Sequence, residues 1–171
     1  MATDYQWNIT SPQHVDGKSL ARLFPANFID EFIAIVRNPI AKLKSAYIFH
    51  SIVEGNIQDK KSINQFIKGE LVNRYLEPGW LDNHFLPQTL FLYPGVPYLI
   101  FKIESDCLNC MKAYFEKFIL GYNSLILMPH LNESVAHIPF ASLSKMTELS
   151  DESLELIKQL YQSDFQSFNY E

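Results

Sequence analysis

The chain has 171 residues, of which 47% are hydrophobic and 19% charged, a length and composition that predict one globular domain over residues 1–171. Its net charge of −5 excludes the overall basic field that would attract nucleic acid or an anionic membrane surface. The sequence contains no apolar run of transmembrane length and no N-terminal signal segment, so we expect no transmembrane segment.

The N-terminal third is predicted to contain two helices with a strand between them. A short helix is expected over residues 18–24. Five consecutive apolar residues at 32–36, rich in β-branched types, indicate a strand that is covered on both faces. A second helix is expected from Pro39 to between residues 50 and 53, because Asn38 is a suitable N-cap and proline suits the first helical position.

The rest of the chain continues the alternation of helices and strands. The other predicted elements are a second buried strand at 97–103, helices at 59–73, 105–120 and 151–165, and loops at 81–88 and 128–134. Residues 89–93 fit a short strand or a helix end equally well. Strands that alternate with helices indicate an α/β domain with a parallel sheet.

Arg37 lies at the carboxyl end of the first predicted strand, beside the start of the following helix. In open α/β sheets ligands bind at that end, and a helix N-terminus favours anions. Ser45 follows eight residues later, about two helical turns away, and Lys42 and Lys44 add positive charge. The pattern predicts a local anion site. The alternative is a structural arginine that pairs with a carboxylate at the strand end.

The two cysteines, Cys107 and Cys110, form a single CxxC pair. A zinc site would need two further ligands, which no second CxxC or closely paired histidines supply. A redox pair is an alternative, since CxxC at a helix start can lower a thiol pKa, although the pair does not follow an early strand of the fold. We expect core or half-buried thiols on a helix.

Five segments of the chain, in order, resemble a known enzyme family. The segment VRNPIAKLKSAY at 36–47 is similar to the 3′-phosphate-binding segment of sulfotransferases that use 3′-phosphoadenosine 5′-phosphosulfate (PAPS). The other four segments resemble landmarks of the carbohydrate sulfotransferases within that group: LDNHFLPQ at 81–88, IFKIES at 100–105, HLNES at 130–134 and YQSDFQSFNY at 161–170. The resemblance implies a P-loop NTPase-like three-layer sandwich with a mostly parallel sheet.

The same resemblance implies an activity and a donor site. The enzyme would transfer a sulfuryl group from PAPS to a hydroxyl of a carbohydrate-like acceptor, leaving adenosine 3′,5′-bisphosphate and using no metal. Arg37 and Ser45 match the pair that holds the nucleotide 3′-phosphate, through a guanidinium fork and a hydroxyl. Asn132 and Ser134 match a late loop near the nucleotide.

Two histidines are candidates on the acceptor side. His14 lies where glycan sulfotransferases place a histidine near the acceptor hydroxyl, and an imidazole has a suitable pKa to take its proton. The alternative for His14 is an exposed loop histidine. His84 either contacts the acceptor or orders its own loop, and we favour the ordering role. Glu104 looks structural, as a cap or as a partner for a basic residue.

The sequence departs from the family at its beginning. The strand and basic phosphate-cradling loop that bind the 5′-phosphosulfate are not evident, and the six glycines are scattered singly. We therefore also consider a truncated sulfotransferase-like pseudoenzyme that binds a nucleotide, a glycan or a partner without turnover. A third hypothesis is an unrelated α/β enzyme, such as a redox protein that uses the two cysteines.

A missing strand would also affect the association and location of the chain. It would leave an unpaired sheet edge, which predicts a homo-oligomer or a substitute strand. The expected location is cytoplasmic, or the Golgi lumen if a membrane-anchoring N-terminus precedes this sequence.

Overall fold

The computed structural model describes residues 9–57, 61–105, 107–118 and 140–171. A 3-10 turn, Pro12–His14, precedes helix α1, Gly17–Leu23. Asp16 is the N-cap of α1, because its carboxylate accepts the backbone N–H groups of Lys18 and Ser19, both at 3.0 Å. Another 3-10 turn, Ala26–Phe28, leads into the first strand.

Two short parallel strands form the sheet of the described residues. Strand β1 is Ile33–Val36 and strand β2 is Leu99–Lys102. They pair in parallel, with Ile33 opposite Leu99 and Val36 opposite Lys102. The predicted mixed α/β class and the parallel pairing are therefore confirmed. The three-layer P-loop sandwich that the resemblance implies stays a prediction.

The strand–turn–helix unit that begins with β1 forms as its local sequence predicts. Helix α2 is Pro39–Ile48 and continues as a wide π-helical segment, Phe49–Val53. The side chain of Asn38 caps α2, since its Oδ1 accepts the N–H groups of Ile40 at 3.0 Å and Ala41 at 3.3 Å.

Most of the remaining helices pack around one hydrophobic core, whereas the helix Cys107–Phe118 packs against β2. Helix α3 is Ile63–Phe66 and continues through a wide segment, Ile67–Leu71, to a last turn, Val72–Arg74. The other helices are α4 at Cys107–Phe118, α5 at Phe140–Met146, α6 at Asp151–Leu160 and α7 at Gln162–Ser167. The core joins α2, α3 and α6–α7 around a loop at 80–86, and its fully buried members include Leu43, Phe66, Phe85, Ile157 and Tyr161.

Several sequence-based details are wrong. The apolar run of β1 is not covered on both faces, because Ile35 is 50% exposed. Helix α3 begins at Ile63, where Ser62 and Gln65 form a capping box, and not at 59. Residues 89–93 form neither a strand nor part of an α-helix, since Gln88–Phe91 is a 3-10 turn. The loop at 128–134 lies outside the described residues. None of the described helices is both long and apolar enough to cross a membrane.

Candidate functional site

The turn after β1 is held from two sides by long-range hydrogen bonds. The Gln88 side chain accepts the backbone N–H of Arg37 at 2.8 Å and donates to the Arg37 carbonyl at 2.8 Å. Glu104, just after β2, accepts the backbone N–H of Asn38 at 2.7 Å through one oxygen and the hydroxyl of Tyr170 at 2.9 Å through the other. Glu104 therefore has the structural role that the sequence predicts. The backbone of Arg37 is fixed by these contacts.

The side chains of Arg37 and Ser45 are both exposed. Among the described residues, the Arg37 guanidinium makes no hydrogen bond or ion pair, so the alternative of a structural arginine paired to a carboxylate is not seen there. The structure shows no contact between Arg37 and Ser45. The other two predicted nucleotide contacts, Asn132 and Ser134, lie outside the described residues.

Hydrogen bonds at this turn keep the Glu104 carboxylate ionised. Partial burial favours its neutral form, but the hydrogen bonds from Asn38 and Tyr170 and the charge of Arg37 outweigh burial and lower the pKa of Glu104 below its usual value. The same contact raises the pKa of Tyr170, where burial and the Glu104 hydrogen bond both oppose ionisation. Glu104 is thus a carboxylate at neutral pH, and its negative charge complements the positive charge of Arg37 at the turn.

His14 is paired with an aspartate 68 positions along the chain. Its Nδ1 lies 2.7 Å from Oδ2 of Asp82, and the two side chains are 27% and 33% exposed. Ser11 holds the same carboxylate twice, through its backbone N–H at 2.7 Å and its hydroxyl at 2.7 Å. His14 is therefore a half-buried, paired side chain and not the exposed loop histidine of the alternative interpretation.

The charge state of Asp82 determines the tautomer of His14. Burial alone would raise the pKa of Asp82, but hydrogen bonds from Ser11 and His14 lower it below its usual value. An ionised carboxylate can only accept, so His14 carries its proton on Nδ1 when the ring is neutral. The lone pair on Nε2 is then free to accept a proton from another group.

Asp82 lies in a turn of unusual backbone conformation. Leu81, Asp82 and Asn83 have φ angles of 44°, 53° and 61°, in the left-handed region that side chains other than glycine rarely adopt. Such residues cost about 1–3 kcal/mol each and persist where the surroundings hold them. Here Asn83 supplies part of that support, since its side-chain amide donates to the His14 carbonyl at 2.9 Å and accepts the N–H of Gly79 at 2.9 Å.

His84 follows this turn and contacts two other imidazoles. Its Nδ1 lies 2.6 Å from Nε2 of His50 in the π-helical end of α2. Its ring packs edge-on against His14, with centroids 4.3 Å apart. Burial, followed by the neighbouring histidines, lowers the pKa of His84 to about 4, and burial lowers that of His50. His84 is neutral at pH 7.

Lys42 of α2 binds the loop at 81–88 and does not add its charge to the anion site. Its ammonium donates to the carbonyls of His84 at 2.8 Å and Leu86 at 2.7 Å. Burial lowers its pKa to about 8, against the opposing charge of Asp164. The sequence-based assignment of Lys42 to an anion site is therefore wrong, because its ammonium is bound to two protein carbonyls.

Asp164 joins the C-terminal helices to the other side of the loop. This fully buried carboxylate accepts the backbone N–H groups of Gln88 at 2.7 Å and Thr89 at 2.9 Å, and the Thr89 hydroxyl at 2.9 Å. The buried hydroxyl of Tyr161 donates to the Phe85 carbonyl at 2.6 Å. These bonds fix the end of the loop at 81–88. They therefore also fix Gln88, whose side chain holds the backbone of Arg37.

A cavity of about 540 Å³ opens beside the left-handed turn. Its polar lining includes Lys18 and Arg22 of α1 together with Asn83, and its apolar lining includes Leu86 and Leu90. Its volume is in the range of small-molecule sites. Lys18 and Arg22 lie four residues apart on one helical face, and together they outweigh the one carboxylate of the lining, Asp16, to give the cavity a local positive charge.

Sequence reasoning missed several residues of this site. Asp82 stands in the segment that resembles the family, two positions before His84, and a carboxylate that close to a histidine was a usable signal. Ser11 and His50 carried no such signal, since each reaches the cluster only through the fold. The expectation of core or half-buried thiols is wrong for Cys110, which is a free and exposed cysteine on α4.

Comparison of the chain with models of protein families, with curated proteins and with solved structures found no match in any of the three.

Proposed function

We propose that this chain is a PAPS-dependent sulfotransferase that acts on a hydroxyl of a carbohydrate-like acceptor. The observation that carries the proposal is that four segments with family resemblance, far apart in the sequence, contact one another around the turn after β1. Gln88 of the second segment bonds Arg37 of the first and is itself held by Asp164 of the last. Glu104 of the third bonds Asn38 and Tyr170. A chance match of short motifs would have no reason to bring them together.

The residues at the turn suit the 3′-phosphate end of the donor. Arg37 offers an exposed guanidinium on a backbone that Gln88 fixes, and Ser45 of α2 offers an exposed hydroxyl. Bidentate guanidinium–phosphate pairs are strong and specific in geometry. When bound, the donor supplies an activated sulfuryl group on a phosphate leaving group. The proposed fold for this chemistry is the P-loop-like sandwich, of which β1 and β2 would be two neighbouring strands.

On the acceptor side, His14 is the proposed general base. Asp82 holds the Nδ1 proton of His14, which leaves Nε2 to accept the proton of the acceptor hydroxyl as that oxygen bonds to sulfur. The S–O bond to the donor phosphate breaks in the same transfer, and its electron pair leaves with the phosphate oxygen. Asp82 stabilises the imidazolium that forms, and His84, packed against the His14 ring, keeps that ring in place.

The cavity beside the turn is the proposed acceptor site. Asn83 lines it and donates to the carbonyl of His14, so the cavity adjoins the candidate base. Leu86 and Leu90 provide an apolar floor against which the carbon face of a sugar can pack, while Lys18 and Arg22 provide donors.

Nucleotide binding is the first test. Calorimetric titration with adenosine 3′,5′-bisphosphate should give saturable binding to the wild type, and Arg37→Ala should weaken it by about 10–100-fold, the equivalent of one charge-assisted contact of 1.5–3 kcal/mol. Lys158→Ala, which removes an exposed cation on α6, is the matched control and should leave the affinity unchanged. Absence of saturable binding to the wild type would contradict the proposal.

Turnover is the second test, with labelled donor and a panel of hydroxyl acceptors. His14→Ala should reduce transfer by about 10²–10⁴-fold, the usual contribution of a general base, without changing nucleotide affinity. Asp82→Asn should lower kcat in the same direction, because it no longer holds the neutral imidazole with its proton on Nδ1. Saturable nucleotide binding without any transfer would instead favour the alternative, a sulfotransferase-like binding module.

A further inference from the structure

The His14–Asp82–His84 cluster has a second capacity that the proposed transfer does not use. Each of the three side chains offers one ligand atom, and these atoms all lie within 4.8 Å of one another. Two imidazole nitrogens and one carboxylate oxygen form a donor set that suits zinc and other divalent first-row ions. We propose that this cluster is a binding site for a divalent transition-metal ion, with zinc as the preferred occupant.

The geometry requires only a small rearrangement of the three side chains. Zinc binds nitrogen and oxygen ligands at about 2.0–2.2 Å, usually with three protein ligands and a fourth, open position in reactive sites. The direct contact of 2.7 Å between His14 Nδ1 and Asp82 Oδ2 would give way to bonds from each group to the ion. The proton on His14 Nδ1 would be exchanged through solvent for one on Nε2, because a metal-bound imidazole is neutral and carries its proton on the other ring nitrogen.

The groups around the cluster are arranged as outer-shell partners of metal ligands. Ser11 fixes the Asp82 carboxylate with two hydrogen bonds of 2.7 Å. His50 bonds Nδ1 of His84 at 2.6 Å, which leaves the other ring nitrogen of His84 for a ligand. Metal-ligating histidines typically bond a second group through their remaining nitrogen, and that bond orients the ring. The cluster thus has orienting partners for Asp82 and His84, on separate elements of the chain.

Metal binding and sulfuryl transfer would compete for His14, a consequence that rests on the proposed function. With the ion on Nδ1, the proton of neutral His14 lies on Nε2, which then cannot accept the proton of the acceptor hydroxyl. The metal would therefore inhibit transfer and would not serve as its cofactor. The metal site itself does not depend on whether the chain transfers sulfuryl groups.

Cobalt is a suitable probe because bound Co²⁺ shows d–d absorption bands whereas zinc is silent. We expect titration of the chelator-treated chain with Co²⁺ to give saturable binding of one ion, with bands that disappear when Zn²⁺ is added. His84→Ala and Asp82→Asn should each weaken Co²⁺ binding at least tenfold. His50→Gln should weaken it by about 10–100-fold through the loss of an outer-shell bond.

The CxxC pair is the competing source of metal ligands, so the double variant Cys107→Ser, Cys110→Ser is the matched control. Retention of the cobalt bands in this variant supports the His–Asp–His site. Circular dichroism checks that each histidine variant is folded, and His14→Gln provides a second test if His84→Ala does not fold. Absence of the bands in the wild type, or their loss in the cysteine variant alone, would overturn the proposal.

The experiment also separates this proposal from the proposed function. Cobalt binding is measured without nucleotide or acceptor, so its absence refutes the metal site and leaves sulfuryl transfer untouched. Cobalt binding by a chain that neither binds adenosine 3′,5′-bisphosphate nor transfers sulfate supports the metal site and refutes the proposed function. Zinc that binds and inhibits an active enzyme supports both.

Discussion

Asp164→Asn is the sharpest test of how the fold positions the candidate nucleotide site. Asp164 is fully buried, and its two oxygens receive different donors. Oδ2 accepts the backbone N–H of Gln88 at 2.7 Å, and Oδ1 accepts the backbone N–H and the hydroxyl of Thr89, both at 2.9 Å. Asparagine has the same shape but replaces one of these oxygens with an NH₂ group. That group would face N–H or O–H donors instead of accepting from them.

The expected cost follows from these contacts. A hydrogen bond to a charged group contributes about 1.5–3 kcal/mol, and a buried donor left without an acceptor costs a similar amount. The variant loses the bonds at one oxygen and weakens those at the other, so we expect the free energy of unfolding to fall by about 3–4 kcal/mol. This is a large part of the total of roughly 5–15 kcal/mol that is typical of a domain.

Urea denaturation followed by circular dichroism measures this loss. With a slope of about 1–3 kcal/mol per molar urea, the midpoint should fall by more than about 1 M. Ser163→Ala is the matched control, because Ser163 bonds the same Thr89 hydroxyl at 3.0 Å but at an exposed position, and it should cost less than about 1 kcal/mol. A change under 1 kcal/mol for Asp164→Asn would refute the reasoning.

The other predictions concern packing, pH and the loop anchor. Gly17→Ala should lower the free energy of unfolding by about 1–3 kcal/mol, because a Cβ there would lie 1.8 Å from a backbone oxygen. Gly69→Ala, where a Cβ meets nothing within 4 Å, should raise it by about 0.5–1 kcal/mol; thermal melts that give both variants the same sign would contradict this. Because the pKa of Glu104 is lowered in the folded chain, its ionised form stabilises the fold. This contribution to the free energy of unfolding is present above the ordinary glutamate pKa of about 4.3 and is lost as pH falls below it. Urea midpoints between neutral and acidic pH should therefore fall less steeply in Glu104→Gln than in the wild type, and identical slopes would exclude a role for its link to Tyr170. Lys42→Met should cost about 1–3 kcal/mol by leaving two carbonyls without a donor, and it should reduce both transfer and nucleotide affinity because it loosens the segment that orients His14 and fixes the Arg37 backbone; unchanged transfer and affinity would contradict the anchoring role.

Local signals were sufficient for the strand–turn–helix unit. An apolar β-branched run followed by Asn38 and Pro39 specifies a strand end, a cap and a first helical turn within a few residues, and β1 and α2 form there. The start of α3 was also encoded locally, in the Ser62–Gln65 capping box, although the helix was predicted to begin at 59. Both cases depend on contacts between residues near one another in the sequence.

Tertiary contacts determined the features that the local sequence pattern left open or predicted wrongly. The predicted C-terminal helix is divided at Tyr161, whose buried hydroxyl donates to the carbonyl of Phe85, 76 positions earlier. The left-handed conformation of Leu81 contradicts its own backbone preference. The partner of His14 is 68 positions away. No periodicity or spacing in a single sequence encodes contacts of this kind.

The two parts of the candidate site meet through one short segment of chain. Residues 82–88 carry the carboxylate that orients His14, the two carbonyls that bind Lys42 and the amide that fixes the backbone of Arg37. A shift of this segment would therefore move the candidate base and the candidate phosphate ligand together. This explains why the buried carboxylate of Asp164, which touches neither group, binds Gln88 at the end of that segment and Thr89 directly after it. Loss of activity after a change at Asp164 or Lys42 would accordingly reflect lost positioning, which kcat and nucleotide affinity measured separately can distinguish from lost contact with the donor.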